Sequence, residues 1–302
     1  MGINGGFGGY VAEALAAQGW KIRALMRNPK NLPHQFTSAE TIKGDASNID
    51  DVRQAAKNVD LIVYGINPAN YDWKSKALDW LNITATVAEE EKLNVVFPGN
   101  VYVYNPANGP NFDENTNFDP ITEKGKIRQS MERRLLQASQ NGAKILILRC
   151  GDFIGKNANS TWMKLMFKKT KQGYTMISTG TDQLTHSWAY LPDVGSVVAD
   201  LASKFSEMDN YNAFNFSGHR LSMSDIAAHL SQTTGKEVKV KKFPWFIVRF
   251  ITPFSTLMAG IFEMRYLWKH EINLDSVRLN NWLTKKYTPT PLSDVLLESK
   301  II

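Results

Sequence analysis

Gly2, Gly5 and Gly8 recur at a GxxGxxG spacing, and Gly9–Gln18 behind them carries a helical pattern. Glycines so placed let the backbone turn tightly and approach a pyrophosphate, while the helix start offers unpaired N–H groups and positive dipole character. The chemistry indicated is dinucleotide binding. An NAD site usually has an acid about 20 residues beyond the loop, bonded to the ribose hydroxyl. Between Glu13 and Glu40 this chain has no Asp or Glu. Arg27 stands there instead, at the end of an apolar run, where a guanidinium can fork onto a ribose 2′-phosphate. NADP is therefore expected, with NAD as the alternative. Asp45, in Lys43-Gly-Asp-Ala-Ser47, either accepts a bond from the adenine amino group or caps a loop.

These groups need a scaffold. Apolar runs predict strands at 21–26, 40–42, 61–64, 95–97 and 144–148, and helical patterns fall at 9–18, 49–58, 73–91 and 123–140. Strands alternating with helices imply crossover connections and a parallel sheet covered on both faces. The second half is more mixed, with helices expected at 191–205 and 222–233 and strands at 213–216 and 237–242. The expected fold is α/β: a doubly wound parallel Rossmann sheet over residues 1–150, then a smaller C-terminal mixed α/β substrate lobe over 151–302. One part is missing. A glycine loop of this kind follows a strand of about five residues, yet only Met1 precedes Gly2. The reading is of a chain short of its first, central strand by truncation.

The sequence resembles the short-chain dehydrogenase/reductase superfamily, in its extended and atypical branch of nucleoside-diphosphate-sugar epimerase-like proteins. The resemblance spans nearly the whole chain. It rests on GxNGGFG at Gly2–Gly8, Arg27-Asn-Pro, Gly44-Asp45, Asn94–Tyr104, Leu148–Gly155, His186–Asp193 and Phe214–His219. It implies a cofactor site made by Gly2, Asn4, Gly5, Gly6, Phe7, Gly8, Arg27, Asp45 and Tyr64, with a small-molecule substrate bound between the two lobes. The family's reductive chemistry uses Ser, Tyr and Lys, the Tyr exchanging a proton with the substrate oxygen. Matching the segments puts Asn100 at the serine, Lys124 at the tyrosine and Arg128 at the lysine, the last with a cofactor role as well. The phenol is gone. Tyr102 could replace it, because on an alternating strand Asn100, Tyr102 and Tyr104 share one face; aromatic packing is the other reading. Two functions follow from the resemblance. One is an NADP-dependent oxidoreductase or epimerase acting on a small carbonyl, hydroxyl or sugar-nucleotide substrate. The other is a non-catalytic NADP(H)-binding redox sensor or regulator.

The rest of the chain narrows the classes. A 43% hydrophobic, 21% charged composition excludes wholesale disorder. A single cysteine, Cys150, excludes an internal disulfide, and the five histidines lack metal-ligand spacing, so no metal is expected. There is no secretory signal pattern, and Trp245–Phe262 is interrupted by Arg249 and Pro253, so no membrane span and a cytoplasmic setting are expected. The net charge of +6 suggests an anionic partner. Lys164, Lys168, Lys169 and Lys171, read as one helical stretch, and Lys239, Lys241 and Lys242 lack interleaved aromatics and read as solvated faces, not nucleic-acid contacts. The apolar run 244–268 could roof a substrate pocket, form a homodimer face or lie on a membrane surface; the pocket roof is favoured.

Overall fold

The structure is a computed structural model and describes residues 1–158 and 161–301. The first half runs α1 (Gly6–Ala17), β1 (Arg23–Met26), β2 (Glu40–Lys43), α2 (Ile49–Ala56), β3 (Leu61–Val63), α3 (Ala77–Glu91), β4 (Asn94–Asn100), β5 (Asn111–Phe112), α4 (Glu123–Gln140) and β6 (Lys144–Cys150). After it come β7 (Asp152–Ile154), α5 (Trp162–Met166), β8 (Phe167–Thr170), β9 (Gly173–Ser178), β10 (His186–Tyr190), α6 (Leu191–Ala202), β11 (Tyr211–Phe216) and β12 (His219–Leu221). The chain ends with α7 (Met223–Thr234), β13 (Val238–Lys242), α8 (Trp245–Ile251), α9 (Thr256–Glu263), β14 (Asn273–Leu274), α10 (Val277–Trp282) and α11 (Leu292–Glu298).

The alternation yields the expected α/β architecture. Four parallel strands stand in the order β11-β6-β4-β3, and β1 pairs with β2 in parallel beside them. Helices cover both faces, which is why β6 reads as an unbroken apolar run with Ile145–Cys150 buried. On one face α3 and α4 bury Leu81, Ala85 and Leu135 against Val95 and Phe97. On the other, α1 and α6 bury Val11, Leu15, Val194 and Val198 against Val96 and Leu146. α1 and α6 pack closely because Gly195 lacks a side chain: a Cβ there would lie 2.5 Å from the Tyr10 carbonyl. The second half re-enters this sheet through β11 and builds three smaller sheets, β12-β10-β7, β13-β9-β8 and β14-β5.

Between β1 and β3 there is no direct ladder. The Met1 amine donates to the Val63 carbonyl at 2.9 Å, the Met1 carbonyl accepts from Gly65 N, and Ile3 packs with Ala24 and Met26 of β1. Residues 1–3 thus occupy one end of the lane between the two sheets, where a preceding strand was expected.

Two local expectations change. β4 runs through Pro98 to Asn100, not stopping at Phe97. β3 ends opposite Val96, so beyond it β4 has only β6 as neighbour, and the missing Pro98 N–H breaks no second ladder. The lysine-bearing stretch 164–171 is not one helix. α5 ends at Met166, and Lys168 and Lys169 lie on β8 of a hairpin closed near Gly173 (φ +154°).

Candidate functional site

The glycine loop is built by close backbone contact. Gly2 has φ +78°, and a Cβ on it would stand 2.2 Å from the Gly65 carbonyl oxygen. A Cβ on Gly8 would lie 2.4 Å from the Gly2 carbonyl oxygen, so the loop folds back on its own helix only because both positions are bare. Gly5 closes the turn by donating to Gly2 at 2.9 Å and serves as N-cap of α1, which has no side-chain cap and no acid in its first turn. That helix start is suited to an anion. Gly6 packs beneath Leu191 and the Asn157 carbonyl. Asn4 ties the loop to the carbonyl of Asn31 at 3.0 Å, and Phe7 is buried, 6.3 Å from the Phe153 ring.

Arg27 and Asp45 follow the paired strands β1 and β2, whose register sets Met26 opposite Lys43 and bonds Gly44 N to the Met26 carbonyl. The two side chains are close enough for Arg27 to help hold the Asp45 carboxyl below the usual range. The larger cause is Ser47, whose N–H and hydroxyl both donate to Asp45 Oδ1, at 2.9 and 2.8 Å. Asp45 therefore shapes the loop before α2. Tyr64 is buried at the end of β3 with its ring 5.6 Å from Phe97.

Of the residues matched to the catalytic set, Lys124 and Arg128 lie near Trp73. The sequence reading placed Trp73 in a helix, but α3 starts only at Ala77, and the indole turns inward to lie over the Arg128 guanidinium at 4.5 Å. Arg128 also faces the Phe97 ring at 5.3 Å and donates to the Pro98 carbonyl at 3.1 Å. Its burial pulls the guanidinium below its ordinary basicity. Lys124, one turn earlier on α4, meets a partner the sequence did not disclose: Nζ contacts Glu263 Oε2 at 2.5 Å, and the Lys124 N–H bonds the same carboxylate at 3.0 Å. Asn100 ends β4 by accepting from Tyr102 N at 3.1 Å, which starts the 3₁₀ turn Val101–Val103. The turn breaks the alternation that would have put Tyr102 and Tyr104 on the Asn100 face. Tyr102 lies against Trp73 at 6.0 Å and Tyr104 stacks on Phe112 at 4.8 Å, so packing accounts for both rings.

A cleft of about 200 Å³ opens here, lined by Asp72, Trp73, Glu123, Lys124, Gly260 and Glu263. α9 lines one side of it through Thr256, Ala259, Gly260 and Glu263. Tyr266 lies close behind, against the Thr122 hydroxyl and within the fields of Glu263 and Asp152; burial pushes its phenol up. His186, stacked on Trp268 at 4.7 Å, is structural, its imidazole lowered to about 4 by burial. Cys150 is buried in the sheet. Among the described residues no group of three or more His, Cys, Asp or Glu could hold a metal, and no helix is long and apolar enough to cross a membrane.

Burial also lifts the Asp152 carboxyl from 3.8 to about 7. A carboxyl raised on folding gives its full contribution below the unfolded value and loses it as pH rises through the folded one. Asp152→Asn keeps the shape without the charge. Its Tm should rise relative to the parent as pH goes from about 4 to about 8, and a constant difference across that range would contradict the assignment.

A family model described as "NmrA-like family" matches residues 1–281. The chain belongs to the NmrA-like family. No curated protein sequence matches it. Solved structures match this NmrA-like chain nearly end to end. The UDP-Glc/GlcNAc 4-epimerase of Campylobacter jejuni superposes with a TM-score of 0.72 at 15% identity, covering 99% of this chain and 96% of that one. The UDP-glucuronic acid 4-epimerase of Bacillus cereus, solved with UDP-glucuronic acid and NAD, gives 0.72 at 18% identity, again over 99% and 96%. The Bordetella bronchiseptica enzyme WbmH, solved with NAD+, gives 0.68 at 14% identity over 98% and 94%. At such identities the likeness establishes a shared fold and nothing more.

Proposed function

We propose that this NmrA-like chain binds NADP(H) at the Gly2–Gly8 loop with Arg27 on the 2′-phosphate, and acts as a cofactor-responsive binding protein, not a turnover enzyme. One observation carries the second half: the two positions matched to the catalytic Tyr and Lys are already engaged inside the protein. Lys124 is held by Glu263, and Arg128 is closed between Trp73, Phe97 and the Pro98 carbonyl. A group so held has neither a phenol's acidity nor free access to a ribose. The lack of any Asp or Glu between Glu13 and Glu40, where an NAD site would carry its ribose-binding acid, favours NADP, and the bare start of α1 suits the pyrophosphate of either dinucleotide. If the cofactor binds, the loop N–H groups and Arg27 would orient it, and its nicotinamide would supply a hydride acceptor or donor.

The test is a binding and turnover pair. Titration with NADPH should show binding, while carbonyl compounds should leave bound NADPH unoxidised and UDP-sugars should not be epimerised with NADP+ bound. Arg27→Ala should raise the NADPH Kd by about 10–100-fold, the loss of charge-assisted bonds of ~1.5–3 kcal/mol, and leave NADH binding unchanged. Equal effects on both cofactors would remove Arg27 from the phosphate site.

A second reading, an oxidoreductase or epimerase acting on a small carbonyl, hydroxyl or sugar-nucleotide substrate, has its own support. Tyr266 holds a buried phenol behind the cleft, near Thr122, Glu263 and Asp152, the nearest candidate for the Tyr that the matched position lacks. NADPH oxidation by a carbonyl compound, or epimerisation of a UDP-sugar with NADP+ bound, abolished in Tyr266→Phe, would establish that reading and overturn the first.

A further inference from the structure

We infer that the face formed by α8, the turn after it and the β13-β9-β8 sheet docks on an anionic lipid surface. α8 buries Val248 and fixes Trp245 by an indole bond to the Thr179 carbonyl at 2.7 Å. Its other side is turned outward. Phe246 is 67% exposed, Phe250 77% and Phe254, in the 3₁₀ turn Thr252–Phe254, 88%, with Ile247, Ile251 and Leu257 exposed beside them. The four-residue spacing sets Phe246 with Phe250 and Ile247 with Ile251, so the apolar side chains form one patch. Lining the cleft accounts for α9 but leaves this patch without a partner.

Charge identifies what covers it. Residues 156–178 and 236–269 hold twelve Lys and Arg against two acids, Glu237 and Glu263. The remaining chain has 23 Lys and Arg against 27 Asp and Glu, so the whole net charge of +6 originates here. Glu263 is already taken by Lys124. The sheet register puts Lys168 opposite Thr175 and Thr175 opposite Lys239, a row across three strands, with Lys241 next to Ile177. A hollow of about 270 Å³ adjoining β8 is lined by Lys156, Lys164, Lys169 and Lys300. β13 leads into α8 within three residues, and Arg249 projects from α8 itself.

Exposed Phe and Ile on a helix joined to a cationic sheet is the pattern of a face lying in a membrane interface, where apolar burial and attraction to anionic headgroups act together. A second copy of this chain would bring two cationic faces together. Nucleic acid would meet the charge but has no use for Ile247, Ile251 and Leu257.

The test is co-sedimentation of the full chain with vesicles of phosphatidylcholine alone and with about a third phosphatidylglycerol. Binding is expected only to the anionic vesicles, weakening as salt rises. Phe250→Ser/Phe254→Ser and, separately, Lys239→Glu/Lys241→Glu should each lower the partition coefficient at least about tenfold. Both change exposed side chains, so an unchanged Tm serves as the folding control, and either pair can carry the test alone. Failure to sediment with anionic vesicles would overturn the proposal. So would binding indifferent to the Phe pair, which would leave a purely electrostatic surface open to nucleic acid or acidic protein, and so would a dimer that the Phe pair converts to monomer.

Discussion

Glu132→Ala is expected to destabilise the fold by about 3–5 kcal/mol in urea unfolding, among the largest effects of any single substitution here. Glu132 and Arg149 are 1% and 4% exposed, and the carboxylate accepts from Arg149 Nε at 3.1 Å and from Nη2 at 2.7 Å. The pair ties α4 to β6 in the centre of the fold. Gly99 makes room for it, since a Cβ there would stand 2.5 Å from Arg149 Cγ, and Phe118 lies 4.8 Å from the guanidinium. Removing the carboxylate leaves a buried cation that cannot shed its proton, because Arg stays charged at any accessible pH. The penalty comes from the orphaned charge and not from a strong net attraction. The double replacement Glu132→Met/Arg149→Met should therefore recover most of the loss and end within about 1 kcal/mol of the parent. A loss below about 1 kcal/mol in the single variant would refute the burial of this pair.

That pair also shows where sequence reading stops. Glu132 and Arg149 are 17 positions apart, on a helix placed to the residue and on a strand that was expected at 144–148 but runs on through Arg149 to Cys150. Periodicity gives the elements because every residue of a helix or strand repeats the signal. Which side chains then meet across elements depends on tertiary packing. The same limit explains the cleft. Lys124 and Arg128 could be placed one turn apart from spacing alone, but Glu263 lies 139 positions from Lys124 within an apolar run whose only legible signal was hydrophobicity. Trp73 was misread as helical because nothing in Asp72–Lys76 announces a break, and its indole decides the surroundings of Arg128. Asn100 carried a signal that could have been used. Asn before Val-Tyr-Val can act as a cap, and a cap there ends the strand whose alternation would have put Tyr102 on the Asn100 face.

The glycine loop is the opposite case, where spacing and geometry agree closely enough to predict a second large effect. Gly8→Ala should reduce NADPH affinity by on the order of 100-fold, as displaced first-turn N–H groups give up charge-assisted bonds of ~1.5–3 kcal/mol each. A Cβ at residue 8 would lie 2.4 Å from the Gly2 carbonyl oxygen and 2.8 Å from its carbon. Both are backbone atoms that no rotamer change can move. Gly2 in turn is wedged against Gly65, and Gly65 against Gly8, so the three backbones must separate together. The loop can open only by lifting the start of α1 away from the end of β3, and that displaces the N–H groups that would face the pyrophosphate. Stability should fall less, by about 1–3 kcal/mol, the range for overpacking, because α1 keeps its contacts with α6. Gly180→Ala is the matched control, since a Cβ there meets only the Trp268 carbonyl at 3.3 Å, far from the loop in sequence. Measured by calorimetric titration, full NADPH affinity in Gly8→Ala would show that the cofactor, if bound at all, is bound elsewhere.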